Sequence, residues 1–439
     1  MANQFTYFGI NKGKSRKNEY ASFLETHNLK YQETEHYLSV GSAAADSTVP
    51  ITISVIRSEI ERLFIRLLPE LKSLKHAFEM VKDYITAKKV LDGVLGEHHI
   101  GKVIIIYLPV NKNYNQVVKH LIELTQPFKG PQVPNSINLG ACVYMQTSDI
   151  NSHRHGNLIQ SLKQKYIILK TLSKGFKGHV FKAFYLKGFF KVVMCVIKQG
   201  RRNMISDHIG RDMKDRLLWQ MQVHNTLSNL VNIPRVLDFF EEDNDHYLVL
   251  EFIDGKPLSQ VISQVYSGQT WLQLSADNKA RILDLLLKVL KLIAKLHGLG
   301  YVHRDLTPVN LLSTKAGDIY LLDFELSYNL KTSYPSPPFE LGTFGFMSPQ
   351  QIKIQTPNLA DDVYGIGALM LFFFTNRPPA EHNLKYDKNL RQLLTSLIGE
   401  SNLADIIASC LSPNVNGRPK LSDILDEIAR INHLPITNI

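Results

Sequence analysis

Leu and Ile recur at helical spacing through ARILDLLLKVLKLIAKLHGLG, residues 280–300, and Gly298 and Gly300 end the pattern just before YVHRDL. The stripe continues straight into His303, so it reads as core packing and not as a leucine zipper. Other apolar residues come in shorter, strand-like runs: KYIILKTL (165–172), KVVMCVIKQG (191–200) and HYLVLEFIDGKPL (246–258), the last running from a buried strand into a hinge. Nearer the N-terminus, VPITISVI, GKVIIIYLPV with a helical stretch after it, and LGACVYMQTS predict a mixed α/β segment. Polar SDINSHRHGN reads as a linker. The pattern divides the chain into an irregular or partly helical lead-in (1–48), a small mixed α/β domain (49–150), a linker (151–163) and a larger domain (164–439).

The chemistry concentrates in residues 301–325, YVHRDLTPVNLLSTKAGDIYLLDFE. Asp305 is placed to orient an attacking hydroxyl, and Asn310 and Asp323 to hold magnesium against nucleotide phosphates. His-Arg-Asp, then Asn five residues after the Asp, then Asp-Phe beyond a strand-turn-strand, is far more specific than a single glycine motif. This pattern resembles the catalytic loop of protein kinases. Upstream, Ser173, Gly175 and Gly178 take the three glycine positions of a G-x-G-x-x-G-x-V loop, with Val180 as its apolar end. Gly175 and Gly178 let backbone amides approach phosphates, whereas Ser173 gives up glycine's freedom. Lys198, ending an apolar strand, is placed to reach the α and β phosphates as a compact charge. The resemblance implies that the backbones of Glu251 and Ile253 meet the adenine and that Leu250 guards the pocket behind it.

From about Tyr166 onward the resemblance continues through GTFGFMSPQQ, DDVYGIGALM and NGRPKLSDIL. It implies an α+β, two-lobed protein kinase-like fold, with an N-lobe over 164–253 and a C-lobe over 254–439. Asp362 matches the helix Asp that braces the catalytic loop. Arg418 matches an Arg that ordinarily pairs with a Glu, here Gln350, so a hydrogen bond should replace an ion pair. Glu325 stands for the Gly of Asp-Phe-Gly, Thr307 for the catalytic-loop Lys, and Gln220 for the helix Glu that pairs with Lys198. A neutral bond from Gln220 would orient the ammonium less firmly, since charge-assisted bonds are about twice as strong. Between Asp323 and Gly342 the Ser, Tyr and Pro content fits an activation loop, with Arg304 a partner for any phosphorylated hydroxyl there; an ordinary exposed loop is the plainer reading.

A narrower resemblance rests on IKQGRRN, HRDLTPVN, DFEL and GTFGFMSPQQ, which are similar to the kinase domain of class III lanthipeptide synthetases. That family phosphorylates Ser and Thr of a ribosomally made precursor peptide, eliminates the phosphate in an N-terminal lyase domain and cyclises in a C-terminal domain. GKVIIIYLPVNKNYNQVVKHLIELTQPFKGP and LGACVYMQTS resemble parts of the lyase domain, so 49–150 is expected to be lyase-like, preceded by its lead-in. Elimination calls for a Lys base, a His acid and cations for the phosphate oxygens. By this resemblance Pro50 and Thr52 stand at Lys and His positions, Glu79 at a further Lys and Gln146 at an Arg. The domain is therefore expected to have lost elimination. Lys72, Lys75, His76, Lys88 and Lys89 read as a solvated helix face, and His98 and His99 as loop residues without metal-ligand spacing.

The chain stops at Ile439, soon after the last kinase helix, so the family's cyclase is expected to be absent; a two-domain protein serving separate lyase and cyclase proteins and a piece of a longer enzyme both fit. The 439 residues suit two or three domains, and 44% hydrophobic residues supply sizeable cores. Three separated cysteines, Cys142, Cys195 and Cys410, argue against a disulfide framework or a zinc site. The N-terminus lacks a signal peptide's apolar stretch, and ALMLFFF is too short to cross a bilayer, so a cytoplasmic protein with no membrane partner is expected. The net charge of +10 suits nucleotide phosphates, an acidic peptide or mere solubility, and no nucleic-acid module accompanies it. These readings together predict a Ser/Thr peptide kinase using ATP or GTP and Mg2+. A pseudokinase scaffold and a general protein kinase are the rival readings.

Overall fold

The structure is a computed structural model that describes residues 19–42, 48–110, 113–147, 161–188, 191–382 and 390–433. The lead-in's first 18 residues and most of the expected linker lie outside these. The described residues fall into two compact units, one within Leu218–Leu237 and Glu251–Ile439, the other within Asn11–Leu217 and Asp238–Leu250.

The second of these contains two sheets. The first has strands β1 (Gln32–Glu33), β2 (Tyr37–Val40), β3 (Thr48–Ile53), β4 (Ala77–Val81), β5 (Ile104–Pro109), β6 (Ser136–Gly140) and β7 (Val143–Gln146), in the order β1-β2-β4-β5-β3-β7-β6. Helices α1 (Ala21–Thr26), α2 (Ile60–Leu74), α3 (Tyr84–Leu91) and α4 (Tyr114–Thr125) accompany it. Along α2, Ile60, Leu63, Phe64, Leu67, Leu68 and Leu71 are buried at three- and four-residue spacing, one apolar stripe meeting the sheet's Ile51, Ile53, Phe78 and Ile106 in a common core. The stretch read as a lead-in is thus partly structural: β1 and β2 extend this sheet, with Ser39 opposite Glu79.

The second sheet runs β12-β13-β11-β10-β9-β8, from β8 (Ser161–Leu162), β9 (Tyr166–Ser173), β10 (Val180–Lys187), β11 (Lys191–Gly200), β12 (Val236–Glu242) and β13 (Asp245–Glu251). Helix α5 (Met213–Leu227) follows β11 in the chain. Tyr166 anchors the sheet through its hydroxyl, which donates to Asp238 at 2.7 Å while its ring stacks on Phe240.

The other unit is mainly helical. It holds β14 (Gly255–Pro257), α6 (Leu258–Tyr266), α7 (Ala276–Gly298), β15 (Tyr301–Val302), β16 (Leu311–Thr314), β17 (Ile319–Leu321), β18 (Tyr328–Asn329), α8 (Pro349–Ile352), α9 (Leu359–Thr375), α10 (Leu390–Ile398), α11 (Ser401–Cys410) and α12 (Leu421–His433). The stripe on α7 is buried, and α9 is apolar nearly all round, as a helix at the centre of a core must be. Among the described residues no helix is long and apolar enough to cross a membrane. The three cysteines are free and buried, and burial raises the thiols of Cys195 to about 11 and Cys410 to about 12, so neither is a reactive thiolate.

Candidate phosphotransfer site

The sheet-rich unit carries the phosphate-loop residues. Val180 lies opposite Ser173 on one side and Lys198 on the other, so strand register alone sets three of the expected residues side by side. Between Ser173 and Val180 the chain turns at Gly175–Gly178, where the Gly178 amide donates to the Gly175 carbonyl at 3.2 Å. Gly178 has φ +144, and a Cβ there would lie 2.0 Å from the Gln199 carbonyl oxygen, so this position requires glycine. Gly175 is less constrained, with the nearest atom to a Cβ at 3.4 Å. Gln199 pairs with His179 in both directions and donates from Nε2 to Asp245 at 2.7 Å. The Arg201 amide donates to the Lys177 carbonyl at 3.0 Å, and its Nη1 to the Phe176 carbonyl at 3.4 Å. Burial, then the Arg201 charge, lowers the His179 pKa, keeping a neutral imidazole beside the guanidinium. Lys198 and Leu250 are buried near the C-terminal ends of β11 and β13.

The helical unit carries the catalytic-loop residues. One Asp305 carboxylate oxygen accepts from the Thr343 amide at 3.1 Å and hydroxyl at 2.8 Å; the other accepts from Asn310 Nδ2 at 2.9 Å. The same amide nitrogen donates to the Asp305 carbonyl, so Asn310 is left to present its oxygen. Beside it, the β16–β17 ladder pairs Leu311 with Leu321, and the Leu322 amide donates to the Asn310 carbonyl, which sets Asp323 one residue on, at φ +59. An amide oxygen and a carboxylate are the hard donors that Mg2+ prefers, and both residues fit that ion.

Asp362 organises the loop from below. Its carboxylate accepts from the amides of His303 and Arg304, each at 2.8 Å, and lies 2.8 Å from His297 Nε2. Burial alone would raise its pKa, but the His297 hydrogen bond and the neighbouring imidazoles hold it below the usual carboxylate range. His303 is fixed as well: its Nδ1 accepts the Asp305 amide, so Nε2 carries the proton and donates to the Leu322 carbonyl. Arg304, named above as a partner for a phosphorylated hydroxyl, is buried and donates through Nη1 to the Leu326 and Phe339 carbonyls, tying the catalytic loop to the segment that follows it. Arg418 Nη2 donates to Gln350 Oε1 at 2.6 Å, the neutral substitute for the ion pair.

Glu251 accepts a bidentate pair from Arg235, which keeps its carboxyl pKa low, and its amide donates to the Arg235 carbonyl. The Ile253 carbonyl accepts from Gly255. Thr343 and Gln351 were not legible beforehand. Gln351 Nε2 bridges the Arg304 carbonyl at 2.8 Å and the Leu341 carbonyl at 3.0 Å, and only the folded geometry brings these groups together.

On the N-terminal sheet, pairing puts Thr52 opposite Ile105 and Tyr144, and Glu79 opposite Ile105 and Ser39. Thr52 and Glu79 therefore share a face, and the two-residue period adds Pro50 and Gln146 to it. A cavity of about 370 Å³ there is lined by Ser39, Thr48, Pro50, Glu79 and Tyr107 among others, with one carboxylate and no basic side chain among the described lining residues. Burial and then Glu79 raise the Tyr107 hydroxyl to about 12. Lys88 departs from the solvated-face reading: it is buried and paired with Asp92 at 3.7 Å. Among the described residues no group of three or more His, Cys, Asp or Glu is placed to hold a metal.

A sheet-rich unit with a glycine-dependent phosphate loop and a helical unit with a braced Asp and an amide-carboxylate pair are what a nucleotide-dependent phosphotransferase presents. The profile of the protein kinase domain matches residues 166–428, more than half of the chain, and the chain belongs to the protein kinase family. Members of this family use ATP and Mg2+. The chain is 28% identical over 286 residues to serine/threonine-protein kinase B of Synechocystis sp., covering 62% of this chain and 47% of that protein. It is 26% identical over 282 residues to serine/threonine-protein kinase C of the same organism, covering 62% and 47%. To a probable serine/threonine-protein kinase PknB of Lactococcus lactis subsp. lactis it is 27% identical over 216 residues, covering 49% and 32%. The chain spans less than half the length of each of these relatives.

Proposed function

We propose that the chain is a Ser/Thr kinase that transfers the γ-phosphoryl group of ATP or GTP to hydroxyls of a ribosomally made precursor peptide in lanthipeptide-type biosynthesis. The observation that carries the kinase reading is the Asp305 carboxylate, fixed by Thr343 and Asn310 on a loop braced by Asp362. On this reading Asp305 orients the substrate hydroxyl and takes its proton, and Lys198 steadies the phosphates. The Glu251 carbonyl and Ile253 amide hold the adenine, while Leu250 limits the pocket behind it. Asn310 and Asp323 would hold Mg2+, which when bound neutralises charge on the phosphates.

The peptide substrate is supported by IKQGRRN, HRDLTPVN, DFEL and GTFGFMSPQQ, and by the N-terminal sheet domain read as lyase-like. Pro50 and Glu79 line its cavity, and by the resemblance they stand where elimination needs cations, which supports a silent lyase-like domain that leaves elimination to a separate protein. We place the protein in the cytoplasm, without nucleic-acid or membrane partners. Intact mass spectrometry of Ser/Thr-containing precursor peptides incubated with the chain, Mg2+ and ATP or GTP tests the reading. A phosphoryl gain without water loss is expected; water loss would overturn the silent domain.

One observation favours a scaffold instead: Gln220, at the position expected for a Glu, is buried and lies 3.4 Å from His224, with no charge of its own. Nucleotide turnover would exclude that reading. A general protein kinase would phosphorylate generic proteins as readily as the precursor peptide.

A further inference from the structure

The N-terminal domain reaches the phosphate loop itself. After α3 the chain turns at Gly93, and a Cβ placed there would lie 2.8 Å from the ring of Phe176, the residue between Gly175 and Lys177. The turn is firm. Asp92 and Lys88 form a buried pair across the last turn of α3, and the amides of Gly93, Val94 and Gly96 donate to Val90, Lys89 and Gly93.

A second contact lies just beyond β11. Asn203 Nδ2 donates to the Gly130 carbonyl at 2.8 Å, the Arg57 amide to Ser206 Oγ at 3.3 Å, and Lys129 Nζ to the Gly210 carbonyl at 3.4 Å. Both sides are rigid. The Lys129 amide and carbonyl are tied to Glu59 and Ile56, while Asp207 and Asp212 gather the amides of the 203–214 stretch. Arg201 joins the two contacts, because it holds the Phe176 and Lys177 carbonyls and immediately precedes the second. The phosphate loop is thus seated directly at its tip and indirectly through the segment leading into α5.

We propose that the N-terminal domain is a positioning element for the nucleotide site, with Gly93 as the seat of Phe176 and the Lys129–Gly130 turn as the clamp on the Asn203–Gly210 segment. Glycine at 93 is then required so that an aromatic ring can rest on bare backbone. A loop whose backbone amides must meet phosphates gains affinity when its conformations are restricted beforehand. The domain would keep this role whether or not it carries chemistry of its own. The inference rests on the kinase reading only in taking residues 173–180 as a nucleotide-binding loop.

The test is a double-mutant cycle of Gly93→Ala and Phe176→Ala in the full chain, read by the dissociation constant for ATP with Mg2+ and by the KM and kcat of phosphoryl transfer. Gly93 has φ +70, so alanine brings backbone strain in either background, whereas its clash with the ring exists only when Phe176 is present. Gly93→Ala should weaken ATP binding about five- to tenfold in the native background and about twofold or less beside Phe176→Ala, a coupling in the range for touching residues. The change should fall on KM, with kcat nearly constant. Phe176→Leu should restore most of the affinity that Phe176→Ala loses, and Asn203→Ala should raise the dissociation constant about two- to threefold by freeing the second contact. If Gly93→Ala does not fold, the Phe176→Ala, Phe176→Leu and Asn203→Ala series decides alone. Equal effects of Gly93→Ala in both backgrounds, or unchanged ATP binding across that series, would overturn the proposal. Failure of the native chain to bind ATP would overturn the kinase reading and the proposal with it.

Discussion

Two polar faces of this molecule hold a carboxylate in place but surround it differently. In the catalytic loop Thr343 and Asn310 hold Asp305, Asp362 holds the His303 and Arg304 amides, and Gln351 ties the Arg304 carbonyl to the activation segment. On the N-terminal sheet, Glu79 shares its face with Pro50 and Thr52 and accepts from the hydroxyls of Ser39 and Tyr107. Asp305 is held by the amide of Asn310, a residue whose oxygen fits Mg2+, whereas Glu79 faces a cavity with no basic side chain among its described lining residues. A fixed carboxylate is therefore not enough to mark a site; the groups set around it to meet developing charge distinguish the two faces.

The contrast breaks most severely at Asp305. Asp305→Asn should lower kcat by roughly 10²–10⁴-fold, the range for losing a positioned base, while ATP affinity measured by titration stays nearly unchanged. Loss of ATP binding in that variant would contradict the role assigned.

Asp362 comes next. Asp362→Ala leaves two buried backbone amides and His297 without their acceptor, and chemical denaturation should show a loss of about 3–5 kcal/mol. The pH dependence has a definite sign. The folded-state pKa of Asp362 is depressed, so its contribution is present above the unfolded carboxylate value near 3.8 and is lost as pH falls toward the folded value. An Asp362→Asn chain should therefore show a flatter acid limb in unfolding followed from pH 5 downward.

Within the phosphate loop, Gly178→Ala should weaken ATP binding, since strain at such a position costs about 1–3 kcal/mol, roughly five- to 150-fold. Gly175→Ala, with its nearest neighbour at 3.4 Å, should have a much smaller effect. Equal losses at the two glycines would remove the distinction drawn between them. The smallest effect is expected at Glu79. Glu79→Gln should leave kcat within about twofold and stability within about 0.5–1 kcal/mol, while the Tyr107 hydroxyl titrates below its native value of about 12 in a spectroscopic pH titration.

Much of the phosphotransfer site was legible because its residues sit close in the chain and strand register carries the rest. Asn310 lies five residues from Asp305, and Ser173, Val180 and Lys198 become neighbours once three adjacent strands pair. What supports the site was not legible. Thr343 is 38 residues from Asp305 and Gln351 is 47 from Arg304, and no periodicity links them. Lys88 reads as a surface cation in sequence and is buried in the fold, paired with Asp92 four residues on, and Arg304 is buried against the Leu326 and Phe339 carbonyls, 22 and 35 residues away. β1 and β2 escaped notice because a two-residue exposed strand and a four-residue one carry too little alternation to register as strands. The seat of Phe176 on Gly93 joins residues 83 apart through the absence of a side chain, which leaves no trace in sequence.

The most direct test of the central claim is intact mass spectrometry of a Ser/Thr-containing precursor peptide after incubation with ATP and Mg2+, run side by side with the native chain and with Asp305→Asn. The account predicts phosphoryl gain without water loss for the native chain and almost none for the variant. Equal phosphoryl gain from both would contradict the role of Asp305, and no nucleotide consumption by the native chain would contradict the kinase itself.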